Sequence, residues 1–146
     1  MKRIFTKPHL FFFSLVPISI LLAYIFNTKE IVFNYYDAYF VAELKYIYYL
    51  SAFFFGLVGF NYFSISWADK KPIKNLTIIH ILLQVVSFTL LISYKNWSWL
   101  QSENEINKDF IIDNSNFIIF ISFLLFLLAT FFHLINFFLS IFSKSK

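Results

Sequence analysis

Four stretches of this 146-residue chain are too apolar to be wrapped in water: about 10–26, 38–67, 76–94 and 117–142. Crossing the hydrocarbon core of a bilayer takes about 20 helical residues, so each stretch is long enough to span, the first barely. The second is overlong, which calls for a tilted helix or for first turns that project into the interface. Composition agrees: 60% of residues are hydrophobic and 14% charged, with a mean hydropathy of +0.70. A water-soluble domain carries about a quarter charged residues, so lipid must replace water around much of this surface. The expected fold class is all-α, an integral membrane bundle of four transmembrane helices forming a single domain over 1–146. Residues 95–116 make its one long loop.

Orientation follows from the basic residues. Lys2, Arg3 and Lys7 precede the first span, Lys70, Lys71 and Lys74 separate the second from the third, and Lys144 and Lys146 end the chain. These regions hold eight of the twelve Lys and Arg with one acid, Asp69; the two opposite loops hold the other seven acids against four lysines. The positive-inside rule then predicts both termini and the 68–74 loop in the cytoplasm. Lys2 and Arg3 before an apolar run also fit the start of a signal peptide. Ala23-Tyr24-Ile25-Phe26 offers no small-x-small cleavage site, so an uncleaved first helix is expected, kinked at Pro17. The short 68–74 loop predicts that spans two and three are antiparallel neighbours. Abundant Phe, Ile, Asn, Lys and Tyr resemble the usage of an AT-rich bacterial genome, which points to a bacterial plasma (inner) membrane. A pI near 9.2 arises from basic residues that flank spans rather than forming a patch, so no nucleic-acid partner is expected. The chain has no cysteine, which excludes disulfides and thiolate metal sites.

Inside membrane spans the polar and small residues carry the information. Thr77, His80, Gln84 and Ser87 recur at helical spacing along one face of the third span. Ser122, Ala129, His133, Asn136 and Ser140 do so on the fourth. On the second span Ala52, Gly56 and Gly59 form a small-residue stripe continuing from Lys45 and Tyr49. All three stripes are expected to face inward, with Thr77, His80, Gln84, Ser87, His133 and Asn136 in polar contacts between helices. As interhelical bonds, His80 is expected to meet Asn136 or Ser140, and His133 to meet Gln84. As functional groups, His80 and His133 are candidate axial ligands of a haem, or members of a proton path. No catalytic constellation is present: the two glycines, Gly56 and Gly59, make no phosphate loop. The acids Glu103, Glu105, Asp109 and Asp113 are expected to be solvated, and no metal site is expected.

One segment resembles a known family. Asp37-Ala38-Tyr39-Phe40-Val41, then Leu50-Ser51 and Gly59-Phe60-Asn61-Tyr62, is similar to the segment that opens the tenth transmembrane helix of haem–copper oxidase subunit I at its outer face. The likeness covers 37–62, and the outside-to-inside direction that it implies matches the one read from charge. In the family this segment carries two haem-ligating histidines. Here the corresponding positions hold Leu44 and Tyr46, or Glu43 and Lys45 in a register shifted by one, and Tyr36 stands where the family has His. The resemblance therefore implies an oxidase-like helix entrance without its haem ligands. Within it, Asp37 is expected to cap the helix, whereas Glu43 and Lys45, two residues apart, are expected to point to different faces. Lys45 is expected to reach an acid of the long loop, Asp109 or Asp113.

The function expected from these features is non-enzymatic: an accessory or assembly component of a respiratory membrane complex, its partners being lipid and other membrane proteins or itself. The alternatives are a haem-binding electron-transfer protein using His80 and His133, and a transporter or channel subunit lined by His80, Gln84 and Asn136.

Overall fold

The computed structural model describes residues 7–35, 38–94 and 114–143. Four helices account for most of them: α1 (Pro8–Ile25), α2 (Leu44–Trp67), α3 (Lys74–Ser93) and α4 (Asn114–Phe142). Each is long and apolar enough to cross a membrane. Their outer faces carry large apolar side chains, among them Leu21, Leu50, Phe53, Leu82, Phe120 and Phe131, all more than half exposed. In water that surface would drive aggregation; in lipid it is the solvent-compatible face. The helix α1 runs unbroken through Pro17.

The second apolar stretch divides in two. Residues Ala38–Glu43 form strand β2, which pairs antiparallel with β1 (Glu30–Tyr35), and helix α2 begins only at Leu44. The expected span over 38–67 is thus shortened to Leu44–Trp67, and the all-α expectation gains a two-stranded hairpin. The physical reason lies in residue type. Ile31-Val32-Phe33 and Tyr39-Phe40-Val41 are β-branched and aromatic, suited to a pleated pair, and their apolarity alone does not separate strand from helix. Asp37, whose capping role was expected, lies outside the described residues.

The pairing register sets Glu30 opposite Glu43, an unfavourable juxtaposition of like charges. Lys45 answers it by forming an ion pair with Glu43. Glu43 and Lys45 were expected on different faces, but that rule holds within a helix. Glu43 is still extended (φ −73, ψ 128) and only Lys45 is in the first helical turn, so the bend between them brings the side chains together. The loop acids proposed for Lys45 lie outside the described residues.

The helices alternate in direction, and their closest packing is α1 on α2 and α3 on α4, with α2 also touching α4. The short connection does make α2 and α3 antiparallel, yet they meet chiefly through large rings: Phe55 on Phe88 at 5.2 Å and Tyr62 on His80 at 5.8 Å. The buried face of α2 is Tyr48, Ala52, Phe55, Gly59 and Tyr62. Of the expected stripe, Ala52 and Gly59 are buried and Gly56 half-buried, whereas Tyr49 is exposed and Lys45 half-buried. The helix turns aromatic residues as well as small ones inward, which pushes α3 away and leaves room for side chains between them.

Candidate functional site: a polar seam in the core

The polar stripes of α3 and α4 face each other and are buried along their length: Thr77, His80, Gln84 and Ser87 against Ser122, His133, Asn136 and Ser140, none more than 3% exposed. The seam is organised around Asn136, whose amide is fully used. Its Oδ1 accepts from the Ile73 backbone amide at 2.8 Å and from Ser140 Oγ at 3.3 Å. Its Nδ2 donates to Thr77 Oγ1 at 2.9 Å and to the Tyr62 hydroxyl at 3.4 Å. Thr77 in turn donates to the Ile73 carbonyl at 3.0 Å, closing the start of α3 onto α4. Further along, Ser87 and Ser122 each donate to the other's backbone carbonyl at 2.8 Å. Such bonds between helices are worth about 0.6 kcal/mol each on average in a membrane and rarely above about 1.7.

The histidines take partners other than those expected. His80 Nδ1 meets the Tyr62 hydroxyl at 3.0 Å, and His133 Nε2 meets the Asn61 side-chain nitrogen at 3.2 Å. Asn136 and Ser140 bond to each other rather than to His80, and no hydrogen bond joins His133 to Gln84 among the described residues. The reason is α2, which supplies Asn61 and Tyr62 from its inner face and from the side turned to α4. In the sequence these two residues stand out only through their place in the resemblance. The signal for Tyr62 was its three-residue spacing from Gly59 on the small-residue stripe.

The rings form one stack. Phe12 of α1 lies on His80 at 4.8 Å and 14°, Tyr62 packs beside both histidines, and His80 and His133 stand 4.8 Å apart at 31°. This geometry does not suit a haem held between the two histidines. Axial ligation needs one nitrogen of each ring aimed from opposite sides at an iron with a flat macrocycle between them. Here the rings lie face against face, closed in by Phe12 and Tyr62. Among the described residues no group of three His, Asp or Glu converges to hold a metal ion.

Tyr62 accepts from Asn136 and shares a hydrogen bond with His80 Nδ1, in which either group can be the donor. Asn61 presents its amide nitrogen to His133 Nε2, leaving that ring's proton on Nδ1. His80 Nε2, His133 Nδ1 and Gln84 Oε1, the last one turn from His80, are buried with no hydrogen-bond partner among the described residues. Buried polar groups are nearly always bonded, so three such atoms on facing helices mark the centre of the seam as its chemically open point.

At the end that carries the loop between α2 and α3, a recess of about 280 Å³ opens between Pro8, His9, Tyr62, Ser66 and residues Asp69, Lys70, Lys71 and Pro72. Helix α2 ends in a pair of carbonyl-closing bonds, Lys70 N to Ile65 O at 3.0 Å and Asp69 N to Ser66 O at 3.2 Å. Asp69 occupies the left-handed position (φ 54) that this ending requires and that glycine usually fills. Lys70 extends across to donate to the Ile141 carbonyl in the last turn of α4, where a cation complements the negative end of the helix dipole.

Comparison with known proteins brings no match: no family model, no curated protein and no solved structure is similar to this chain. The oxidase resemblance therefore rests on the residues of 37–62 alone. Within it Tyr39 and Val41 fall on strand β2, where the resemblance implies a helix.

Proposed function

We propose that this chain is a small non-enzymatic integral membrane protein, an accessory or assembly component of a larger membrane complex. The observation that carries the reading is how the core spends its polar groups. Asn136 uses all four of its bonding positions on neighbouring residues, and Ser87 and Ser122 bond each other's backbones, so these groups hold helices together rather than face a substrate. A respiratory complex is the narrower form of the proposal and draws on the oxidase-like residues of 37–62. Both termini and the 68–74 loop lie on the cytoplasmic face of a bacterial plasma membrane in this reading, supported by the eight Lys and Arg clustered there.

Purification of tagged protein from its native membrane in mild detergent tests the role. A partner recovered in fixed proportion is the expected result, and a chain that always elutes alone sinks it. The lack of native cysteine makes orientation equally direct to test. Lys71→Cys is expected to resist a membrane-impermeant maleimide in intact cells while Ser102→Cys reacts; the opposite pattern reverses the topology.

A further inference from the structure

The recess beside the loop between α2 and α3 lies at the depth of lipid headgroups, and its wall carries charges that the fold leaves uncommitted. We propose that it holds the headgroup of an anionic phospholipid of the phosphatidylglycerol class, with Lys71 on the phosphate and Ser66 and Asp69 on the headgroup hydroxyls. The proposal rests on the membrane reading of the four helices and on no protein partner.

Trp67 sets the depth. It ends α2 beside the recess and is 81% exposed, and a tryptophan at the end of a spanning helix marks the headgroup level of a bilayer. The wall runs from Ser66 and the loop at that level to Tyr62, about 7.5 Å of helix rise deeper. Pockets for whole small molecules begin near about 300 Å³, so a recess of about 280 Å³ suits a headgroup and not an entire lipid.

The recess is also joined to the lipid-facing surface. His9 in its wall packs edge-on against Phe13 and Phe63, at 6.5 and 5.9 Å, and both phenylalanines are more than a third exposed. Phe60, more than half exposed and 6.4 Å from Phe63, continues this apolar strip toward the middle of α2. A headgroup in the recess therefore has an apolar surface below it for its acyl chains. A water-soluble phosphate has no use for that surface.

Charge selects the ligand. Residues 7–10 and 66–74, which surround the recess, hold Lys7, Lys70, Lys71 and Lys74 against a single acid, Asp69. A basic pocket at the membrane surface favours a net anion over a zwitterion. Lys70 is committed to the Ile141 carbonyl at the end of α4. Lys71 and Asp69 share the recess wall, yet neither forms an ion pair among the described residues, with the other or elsewhere. The free ammonium suits a phosphate. A carboxylate only accepts, so Asp69 calls for donors on the same ligand, and the glycerol hydroxyls supply them.

Thermal unfolding of delipidated protein in neutral detergent, with short-chain lipids added, tests the site. Phosphatidylglycerol is expected to raise the midpoint and to saturate, whereas phosphatidylcholine with the same chains leaves it in place. Lys71→Gln is expected to raise the half-saturating phosphatidylglycerol concentration about fivefold. Ser66→Trp, which fills the recess and keeps every charge, is expected to abolish the shift in protein of unchanged helicity. Lys29→Gln, beyond the other end of α1, is expected to change nothing. No shift with phosphatidylglycerol, equal shifts with the two lipids, or a shift indifferent to Lys71→Gln or to Ser66→Trp overturns the site. Glycerol phosphate, the headgroup without chains, is expected to have no effect at the same concentrations. If it gives the full shift, the ligand is a soluble phosphate ester and the lipid assignment falls.

Discussion

Along α1 and α2 the contact is made of rings and glycines; along α3 and α4 it is made of hydroxyls, amides and imidazoles. In the first pair Phe13 lies on Gly59, Val16 on Gly56 and Phe26 on Tyr48, and the buried hydroxyls of Ser19 and Tyr48 have no hydrogen-bond partner among the described residues. In the second pair Asn136 and the two serines join the backbones directly. Lipid offers no hydrophobic drive to bring two apolar helices together, so a membrane bundle must use close fit or polar bonds. This chain uses one device in each half. The halves should therefore fail to different substitutions, fit to added volume and polar bonds to lost donors.

The largest effect is expected at Asn136. Asn136→Leu strips partners from the Ile73 amide, Thr77, Tyr62 and Ser140 together, and leaves the amide buried beside an alkyl group. A loss on the order of 2–3 kcal/mol in reversible unfolding in lipid or detergent is expected. A loss below about 1 kcal/mol would mean that the seam is not the fastening of α3 to α4. Next comes added volume in the other half. A Cβ on Gly59 would stand 2.8 Å from the Phe13 ring, whereas one on Gly56 meets only Val16 at 4.0 Å. Gly59→Leu is expected to cost about 1–3 kcal/mol and Gly56→Ala less than about 0.5. Equal costs at the two glycines would break the claim that close fit is concentrated at Phe13.

Two smaller effects sharpen the contrast. Ser87→Ala and Ser122→Ala each remove one donor to a backbone carbonyl that keeps its own helical amide. Each should cost about 0.6 kcal/mol, and because neither serine needs the other's hydroxyl the double variant should be additive. Strong coupling in the cycle would show the hydroxyl-to-hydroxyl contact at 3.5 Å to be the one that matters. Last, Asp69→Gly relieves a side chain held in the left-handed region and is expected to stabilise by about 0.5–1 kcal/mol, raising the midpoint of thermal unfolding slightly.

Much of this was legible in the sequence, and the unread part has a common cause. Hydropathy located all four helices, three of them to within three residues at each end and the second with a start six residues early, because a run of apolar residues of this length leaves little choice. Helical spacing placed Thr77, His80, Gln84 and Ser87 inside, since a polar stripe on an apolar helix has to avoid lipid. What spacing does not give is the rotation of one helix against another, and so the partners. Asn136 went to Thr77 and Tyr62, and the histidines turned to α2. Tyr62 was hidden for a further reason: among nine tyrosines in so aromatic a chain, one phenol reads as an interface anchor. The hairpin was missed because Tyr39-Phe40-Val41 is as apolar as the helix that follows, and only its pairing with Val32-Phe33-Asn34 distinguishes it.

The amide of Ile73 shows in what order the bundle can be finished. It stands just before the first turn of α3, next to Pro72, and its acceptor is a side chain on α4, more than sixty residues downstream. A ribosome delivers α3 long before Asn136 exists. During that interval the start of α3 lacks the acceptor that it has in the finished bundle, and only water or a lipid headgroup can take its place. The third helix thus enters the membrane incomplete at one end, and the fourth completes both itself and its predecessor. A chain halted between residues 94 and 136 would carry three helices with the start of the last one unfastened.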